Sequence, residues 1–320
     1  MIKNNAQKDQ SFGDFWMNPK NLETRKKEFF QHLNKVIHWR PLEYRIEKLY
    51  CEETGRPGFA ALLMFKALLL AQWYSLSDPE LEDCLKDRLS FKQFVGLGIE
   101  DDTPDETTLC RFRNRLMEKR LLEKLFHIVS QQLEAKGLFV KKGTLIDASI
   151  LEAEGGKKKL EKRQDKEATW TKKNDVSFYG YKGHAGMDWL SWLIHDLDLI
   201  TASVHDSGVW DGLLTNQEQA VFADKGYYDE GYKKVLRRQG IYCGILDKAK
   251  KNAPLSPRQE KRNKQKSRVR CNIERFFAVL KDQYKAKVRY LGLMKNKEHL
   301  FSLGLAYNLE RAVSLCYARA

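Results

Sequence analysis

Three acidic residues lie where an α/β protein could use them for chemistry. Asp147 is the single charged residue of TLIDASI, a short run whose β-branched residues predict a central strand. Asp224 closes AVFAD, at the carboxyl end of a second predicted strand, where such sheets tend to bind ligands. Glu274 is the only acid in the predicted helix SRVRCNIERFFAVLK. If the fold gathers them, three carboxylates can bind two divalent ions and support an in-line phosphodiester displacement.

Basic residues flank the third acid. Arg270 precedes Glu274 by four positions and Lys281 follows it by seven, so all three fall on one helix face beside the apolar stripe. Mg²⁺ suits such a site because it takes oxygen ligands and keeps waters and phosphate oxygens in its shell. An acid triad in basic surroundings is what a metal-dependent nuclease or strand transferase requires.

Each acid also has an ordinary structural explanation. Asp147 could pair with a buried Arg or Lys, because an unpaired buried carboxylate is costly. Asp224 could cap the helix after its turn. Glu274 could form an i, i+4 ion pair with Arg270, worth a few tenths of a kcal/mol. Asp206 in ASVHDSG is a further strand-end acid and remains a second choice.

The composition predicts a globular protein with an anionic partner. The 320 residues carry a formal net charge of +14, and their 42% hydrophobic content can supply a core. Nucleic acid leads the possible partners, ahead of an acidic membrane. No apolar run is long enough to cross a bilayer, and the first residues lack a signal-peptide core, so an intracellular protein is expected. The six cysteines form no C-x-x-C pair, which argues against a zinc cluster.

Two segments are crowded with Lys and Arg. Residues 154–175 and 247–270 are poor in apolar side chains and lie between predicted elements, so both are expected to be exposed loops. They flank the same α/β region, which favours contact with phosphates over a purely solvated role.

The first 140 residues or so are predicted to be helical. FAALLMFKALLLAQWYSLS is apolar nearly all round and suits a buried helix. A second helix is expected to begin at Asp78 as N-cap with Pro79 at its first position. A third has a capping box, with Thr103 as cap and Glu106 three residues later, and another ends near residue 137.

The pattern changes after residue 137. GTLIDASIL, VSFYGYKGHAGMD, WLIHDLDLITASV, AVFADKGYY and IYCGIL predict strands, whereas VWDGLLTNQEQ and DEGYKKVLRRQG predict helices. Two long helices complete the sequence, around residues 267–281 and in KEHLFSLGLAYNLERAVSLCYARA. Strands followed by alternating helices and strands indicate an α/β layered domain from about residue 144.

Several of these segments together resemble a known family. TLIDASILEA, YGYKGHAGMD, ITASVHDSG, VFADKGYYD and the stretch from RVRCNIERFF to LAYNL are similar to the DDE transposases of bacterial insertion sequences. The likeness extends to the helical segment from about residue 44 to 116. It implies a mixed sheet flanked by helices in an RNase H-like core, and DNA cleavage at transposon ends followed by attack of the freed 3′-OH on target DNA.

The resemblance implies a set of site residues. Asp147, Asp224 and Glu274 correspond to the catalytic, metal-binding acids, with two Mg²⁺ ions as cofactor and Mn²⁺ as a possible substitute. Arg270 and Lys281 occupy the positions of the family's third motif that contact phosphates or DNA. That motif expects Tyr where this sequence has Ser267, which puts a hydroxyl role there in doubt but leaves the metal ligands in place.

Further DNA contacts are implied on either side of these motifs. Lys182 and His184 in YKGHAG are expected near the site on an adjacent strand, although His184 could equally be a structural histidine. TPDETTLCRFRNRL is the candidate recognition helix, with Arg111, Arg113 and Arg115 suited to bases and phosphates. The alternative is an ordinary amphipathic helix with a solvated basic face. Three tryptophans could stack on distorted DNA or belong to the core: Trp170, Trp189 and Trp210.

The expected organisation is an all-α DNA-binding and dimerisation domain over residues 1–138 and an RNase H-like DDE domain over 139–320. The expected partners are double-stranded DNA, as terminal inverted repeats and target, and a second copy of the chain on that DNA, with no membrane and a cytoplasmic, nucleoid-associated location. Two alternatives remain open: an RNase H-like nuclease or resolvase without strand transfer, and a non-catalytic DNA-binding protein derived from a transposase.

Overall fold

The structure is a computed structural model that describes residues 24–50, 58–154, 165–173, 175–209, 212–215, 217–249 and 254–317. It divides into two compact units: the first is formed by Met1–Gln132 with Ala312–Ala320, and the second is Leu133–Arg311. The domain boundary expected from the sequence, after residue 138, lies a few residues beyond this division. No helix of the described residues is both long enough and apolar enough to cross a membrane.

The first unit is built from helices. Their bounds are α1 Arg25–Val36, α2 Arg40–Glu47, α3 Ala61–Trp73, α4 Asp78–Asp87, α5 Leu89–Val95, α6 Glu106–Glu118 and α7 Leu121–Ala135. Helix α3 is buried almost throughout, as its apolar sequence predicts. Its one lysine, Lys66, is tolerated because its ammonium donates to Asn34 Oδ1 at 3.3 Å and lies over the Trp39 ring.

Two predicted helix starts are wrong by one or two residues. Helix α4 is capped by Ser77, whose hydroxyl and the Glu80 carboxylate form a capping box, so Asp78 is its first residue. Helix α6 is capped by Asp105, which accepts from the Thr108 amide at 2.7 Å, and not by Thr103. In both cases a neighbouring residue, and not the predicted one, accepts a hydrogen bond from a backbone amide in the first turn of the helix.

The second unit contains one mixed sheet within the described residues. Its strands are β1 Thr144–Glu152, β2 Thr169–Lys173, β3 Val176–Asp188, β4 Ile194–Thr201, β5 Ala220–Ala223 and β6 Tyr242–Cys243. The order is β2-β3-β1-β5-β6, and β4 also pairs with β3. Pairing is antiparallel among β1, β2, β3 and β4, whereas β5 runs parallel to both β1 and β6.

This strand order is that of an RNase H-like fold. Leaving β2 aside, three antiparallel strands in the order β4-β3-β1 are extended by β5 and β6, which run parallel to β1. The described residues after β5 also form three α-helices: α8 Glu230–Arg238, α9 Pro257–Ala278 and α10 Leu293–Tyr317. A π-helical turn, Val279–Gln283, follows α9. The predicted α/β class, with a mixed sheet and a helical N-terminal region, is confirmed.

The two basic segments are not simply loops. The segment 247–270 is helical from Pro257 onward, because Ser256 and Gln259 form a capping box and Lys, Arg and Gln are good helix formers. In the segment 154–175, Thr169–Lys173 is strand β2, and residues 155–164 lie outside the described part of the chain. The prediction of two exposed loops is therefore wrong for most of the described residues.

The helix predicted in VWDGLLTNQEQ is also wrong for its described residues, 209, 212–215 and 217–219, which form turns and irregular backbone. The Glu218 carboxylate accepts from the backbone amide and hydroxyl of Thr215 and from the Thr144 hydroxyl. The Glu218 side chain therefore gives the Thr215 amide a local acceptor in the loop, in place of a helical carbonyl.

Candidate active site

Two of the three acids lie side by side at one edge of the sheet. Ile146 of β1 pairs with Ala223, the last residue of the parallel strand β5, and the residue that follows each of them is an aspartate, Asp147 and Asp224. Strand β5 ends there because Asp224, in extended conformation, begins the 3₁₀ turn Lys225–Tyr227. The parallel pairing of β1 and β5 therefore brings together the two carboxylates that we expected to be neighbours from the sequence.

Helix α9 adds the third acid through an arginine. The Arg270 guanidinium donates from Nη1 to Asp147 Oδ2 and from Nη2 to Glu274 Oε1, both at 2.8 Å. The Arg270 and Asp147 side chains are mostly buried, at 15% and 17% exposure, whereas Glu274 is exposed. Arg270 thus stands between two candidate metal ligands and supplies the positive charge that they share.

The carboxylates interact electrostatically. Burial raises the pKa of Asp147 from 3.8 to about 6, against the lowering effects of Arg270 and a backbone amide, and the charges of Asp224 and Glu274 raise it further. The negative charges of Asp224 and Glu274 therefore oppose ionisation of Asp147. A site of this kind favours any cation that can neutralise more than one of the acids.

The structural alternatives are realised for two acids and not for the third. Asp147 does pair with an arginine, and Glu274 does form the i, i+4 pair, in both cases with Arg270. Asp224 makes no side-chain capping bond to the 3₁₀ turn that it begins. Its carboxylate has no such structural task, which keeps it available to a ligand.

His184 is buried and does not meet the solvent. Its Nδ1 lies 2.5 Å from the Tyr227 hydroxyl, and the residue is 0% exposed. Burial lowers the pKa of His184 to about 4, so the ring is neutral at pH 7. The predicted DNA contact is not supported by this position, because a fully buried ring offers DNA no surface; the structural alternative fits.

Lys182 lies on the same strand but on the other face of the sheet from Asp147. It pairs with Ile150 of β1, as His184 pairs with Ala148, and directly paired residues share a face. Its ammonium donates to Val204 O at 2.9 Å and to Asp206 Oδ1 at 3.0 Å. Lys182 therefore fixes Asp206 and does not join the acid cluster.

Lys281 lies beyond the acids along the direction of β1. It is exposed in the π-helical turn, where it interacts electrostatically with Lys173 and Glu152. Glu152 follows Asp147 by five positions along the strand, about 16 Å at the usual rise. Lys281 thus lies at a distance from the acids. Ser267, where the resemblance expects Tyr, is a partly buried residue of α9.

The three arginines of α6 have different environments. Arg111 and Arg115 are exposed and line a cavity of about 750 Å³ with acids such as Glu82 and Asp105. Arg113 forms a two-bonded ion pair with Asp78 of α4, with its side chain 16% exposed. Arg113 therefore fastens α6 to α4, which leaves the other two as candidates for DNA contact.

The tryptophans also separate by position. Trp170 of β2 is 51% exposed, whereas Trp189 packs against Phe222 at 5.3 Å between ring centroids. Trp210 lies outside the described residues. Only Trp170 of the two described rings is open enough to stack on a base.

Comparison with known proteins gives two sequence matches and a structural one. Residues 139–309 match the family described as Transposase DDE domain, and residues 18–115 match one described as Transposase domain (DUF772). The chain belongs to the transposase DDE domain family. A cryo-EM structure of a piggyBac transposase synaptic complex with hairpin DNA is similar at 12% identity, with a TM-score of 0.40, over 89% of this chain and 74% of that one.

For a DDE-family chain, the acid cluster has the right chemistry to hold divalent ions. The donors are carboxylate oxygens, which Mg²⁺ prefers, and the buried carboxylate of Asp147 has a raised pKa that a cation would reverse. Within the residues that the structure describes, no three His, Cys, Asp or Glu side chains stand close enough to form a metal centre. In this conformation Arg270 bridges two of the acids, so the acids would have to move closer and exchange this partner.

Sequence reasoning does not single out Tyr227. This buried tyrosine follows Asp224 by three residues, and its pKa is raised by burial and by the charges of Asp206, Asp147 and Asp224. It bonds to His184 and so connects β3 to the turn that carries Asp224. The only sequence signal is its place in DKGYY, and the pairing itself depends on sheet register.

Proposed function

We propose that this chain is the DNA transposase of a bacterial insertion sequence. It binds the terminal inverted repeats, cleaves the element ends by metal-dependent hydrolysis and joins the 3′-OH ends to target DNA. The observation that carries this is the arrangement of Asp147 and Asp224 on adjacent parallel strands with Glu274 linked to them by Arg270. Pairing two ends calls for at least a dimer on DNA, acting in the cytoplasm at the nucleoid.

Asp147, Asp224 and Glu274 are the proposed ligands of two Mg²⁺ ions, with Mn²⁺ as a substitute. When bound, the metal supplies Lewis-acid activation of water or a 3′-OH and stabilises the leaving oxygen. Two neighbouring strand segments of one sheet and a helix carry these carboxylates. The buried Tyr227–His184 pair supports the turn beside Asp224.

Arg270 has a double role in this proposal. Without metal, it neutralises Asp147 and Glu274. With a cation held by those carboxylates, the guanidinium would be free to bind a phosphate, for which its planar pair of donors is well shaped. Lys281 holds the backbone further along, as a point charge.

The N-terminal unit is the proposed reader of the terminal repeats. Arg111 and Arg115 are exposed on α6 and carry the types of donor that contact phosphates and guanine edges. Arg113 supports them by holding α6 against α4.

The test is end cleavage by purified protein on a plasmid that carries the DNA flanking the reading frame. We expect Mg²⁺-dependent cleavage by the wild-type chain and its loss in Glu274→Gln. Glu260→Gln is the matched control, because Glu260 is an exposed acid in the first turn of the same helix. Cleavage by Glu274→Gln at the wild-type rate would remove Glu274 from the proposed ligands.

A second assay separates the proposed transposase from the two alternatives. DNA ends that are already cut are incubated with target plasmid and Mg²⁺. Joined products support strand transfer, and cleavage without joining identifies a nuclease or resolvase. Binding that needs no metal, with neither cleavage nor joining, identifies a non-catalytic DNA-binding protein.

A further inference from the structure

Helix α9 carries a regular series of functional side chains. Arg262, Lys266, Arg270 and Glu274 are spaced four residues apart, so they form one stripe along the helix with steps of about 6 Å. Two of its members contact successive points on the sheet side of the helix. Arg270 bonds to Asp147 within β1, and Lys266 donates to Ile245 O just after β6 at 2.7 Å. The stripe therefore runs from the acid cluster toward the β6 edge.

A cavity lies at the far end of this stripe. It measures about 480 Å³ and is lined by four cations, from α8 and α9: Lys233, Arg237, Arg262 and Lys266. Among the residues that the structure describes, Asp247 is the one carboxylate in its lining. We call this cavity the basic pocket.

The single carboxylate is fully occupied by the protein. Asp247 accepts from Lys233 Nζ at 3.1 Å and from Arg262 Nη2 at 3.2 Å, and its own backbone is held by Asn263. Although burial opposes ionisation, the Lys233 bond and the neighbouring cations lower the pKa of Asp247, so it stays charged. Asp247 thus positions two cations, and its one charge does not balance four.

The two lysines are unusually buried for charged groups. Lys233 is 5% and Lys266 is 7% exposed, and the ammonium of Lys266 donates to a neutral carbonyl. Burial and the charges of Lys233 and Arg262 lower the pKa of Lys266, against the effect of Asp247. Positive charges held together at this cost favour an anion that enters the pocket. Arg237, at the rim, is exposed and able to meet it.

We propose that the basic pocket binds a backbone phosphate of the DNA strand on which the acid cluster acts. This inference rests on the proposed function. Lys266 and Arg262 lie about 12 and 18 Å from Glu274 along the helix, which corresponds to about three to five nucleotides at 3.4 Å each. Because the stripe is continuous with the acids, one strand can meet both, which favours DNA over an acidic peptide.

The first test compares two variants of helix α8. Arg237→Gln removes a cation that lines the pocket, and Lys234→Gln removes an exposed cation of the same helix outside its lining. Affinity for short duplexes tiled across the DNA flanking the reading frame is measured against salt concentration. For one lost phosphate contact, the slope of log K against log salt falls by about 0.9 in Arg237→Gln and stays at the wild-type value in Lys234→Gln.

The second test perturbs the DNA and leaves the fold untouched. In the duplex that binds best, neutral methylphosphonates replace single phosphates in turn. We expect one position, three to five nucleotides from the cleaved bond, whose neutralisation weakens binding several-fold for wild type and Lys234→Gln but not for Arg237→Gln. Circular dichroism confirms that all three proteins are folded.

The possible outcomes separate the pocket from the proposed function. Binding by the wild type with equal slopes in both variants, and no position that depends on Arg237, would overturn the basic pocket alone. Failure of the wild type to bind any duplex would overturn the proposed function and this inference with it. Weaker self-association of Arg237→Gln with unchanged DNA binding would reassign the pocket to an acidic segment of a second copy.

Discussion

The carboxylate of Asp147 is expected to destabilise the metal-free fold at neutral pH. Burial raises its pKa from 3.8 to about 6, so the folded protein binds this proton more tightly than the unfolded chain does. The cost of ionisation is therefore absent below pH 3.8 and complete above pH 6. At 1.36 kcal/mol per pKa unit, a shift of about two units corresponds to about 3 kcal/mol.

The substitution Asp147→Asn tests this directly, because Asn resembles the protonated carboxyl in shape and charge. In EDTA, we expect the variant and the wild type to have similar free energies of unfolding near pH 3.8, provided that both are folded there. Above pH 6 the variant should be more stable by up to about 3 kcal/mol. Arg270 keeps its bond to Glu274 in the variant, so its guanidinium is not left without an acceptor.

Urea unfolding at a series of pH values measures the effect, with Glu274→Gln as the control. Glu274 is the exposed partner of the same arginine, at 56% exposure, and its loss should change stability by only a few tenths of a kcal/mol. A difference between Asp147→Asn and wild type that does not grow between pH 3.8 and 6, or a variant less stable throughout, would refute the reasoning. The DNA cleavage that we propose for the chain should be lost in the same variant, so stability and function would separate.

Three further predictions concern other parts of the chain. Mg²⁺ should raise the melting temperature of the wild type and raise that of Asp224→Asn much less, because a ligand that binds only the folded state stabilises that state. Equal shifts in the two proteins would exclude Asp224 as a metal ligand. Asn308→Leu should lower the free energy of unfolding, measured by urea titration, by at least about 2 kcal/mol, because the buried Asn308 side chain bonds to both the amide and the carbonyl of Ile194. A smaller loss would mean that water takes over these two hydrogen bonds in the variant. Arg113→Gln should lower the melting temperature without a specific effect on DNA affinity in gel-shift assays, whereas Arg111→Gln should lower DNA affinity and leave the melting temperature unchanged. The same pair of effects in both variants would contradict the separate roles of the two arginines.

Much of the sheet could be predicted because local sequence and burial agree there. VSFYGYKGHAGMD coincides with β3, and the apolar runs around Asp147 and before Asp224 coincide with β1 and β5. Once β1 and β5 are parallel neighbours, the two aspartates follow at the same edge. To predict that these two acids are neighbours, it is enough to recognise the two strands and to know that they pair in parallel.

The start of α9 could not be predicted from charge alone. A run of Lys and Arg suggests a solvated loop, yet Ser256, Pro257 and Gln259 provide a cap, a first residue and a capping-box partner. These local signals outweigh charge repulsion because the basic face of the helix then finds acceptors, such as Asp247 and Asp147. Asp147 lies 123 positions before Arg270, so this acceptor could not be assigned to the helix from local sequence.

The partners of individual side chains depend on register and could not be derived from spacing. His184 and Lys182 are two residues apart on β3, and motif position puts both near the site. Pairing with Ala148 and Ile150 turns them to the face opposite Asp147, where Tyr227 and Asp206 receive them. A slip of one residue would have reversed this outcome, because successive strand residues point to opposite faces.

The helical stripe explains why the acid cluster and the basic pocket can act on one strand. A loop would let the distance between Glu274 and Lys266 vary, whereas a helix fixes it at about 12 Å and keeps both side chains on one face. The cost of gathering cations there is reduced by Asp247, which holds Lys233 and Arg262, and by the acids that hold Arg270. With a cation held by the proposed metal ligands, Arg270 would lose its carboxylate acceptors, and its guanidinium would add to the positive charge that the basic pocket offers to the same strand.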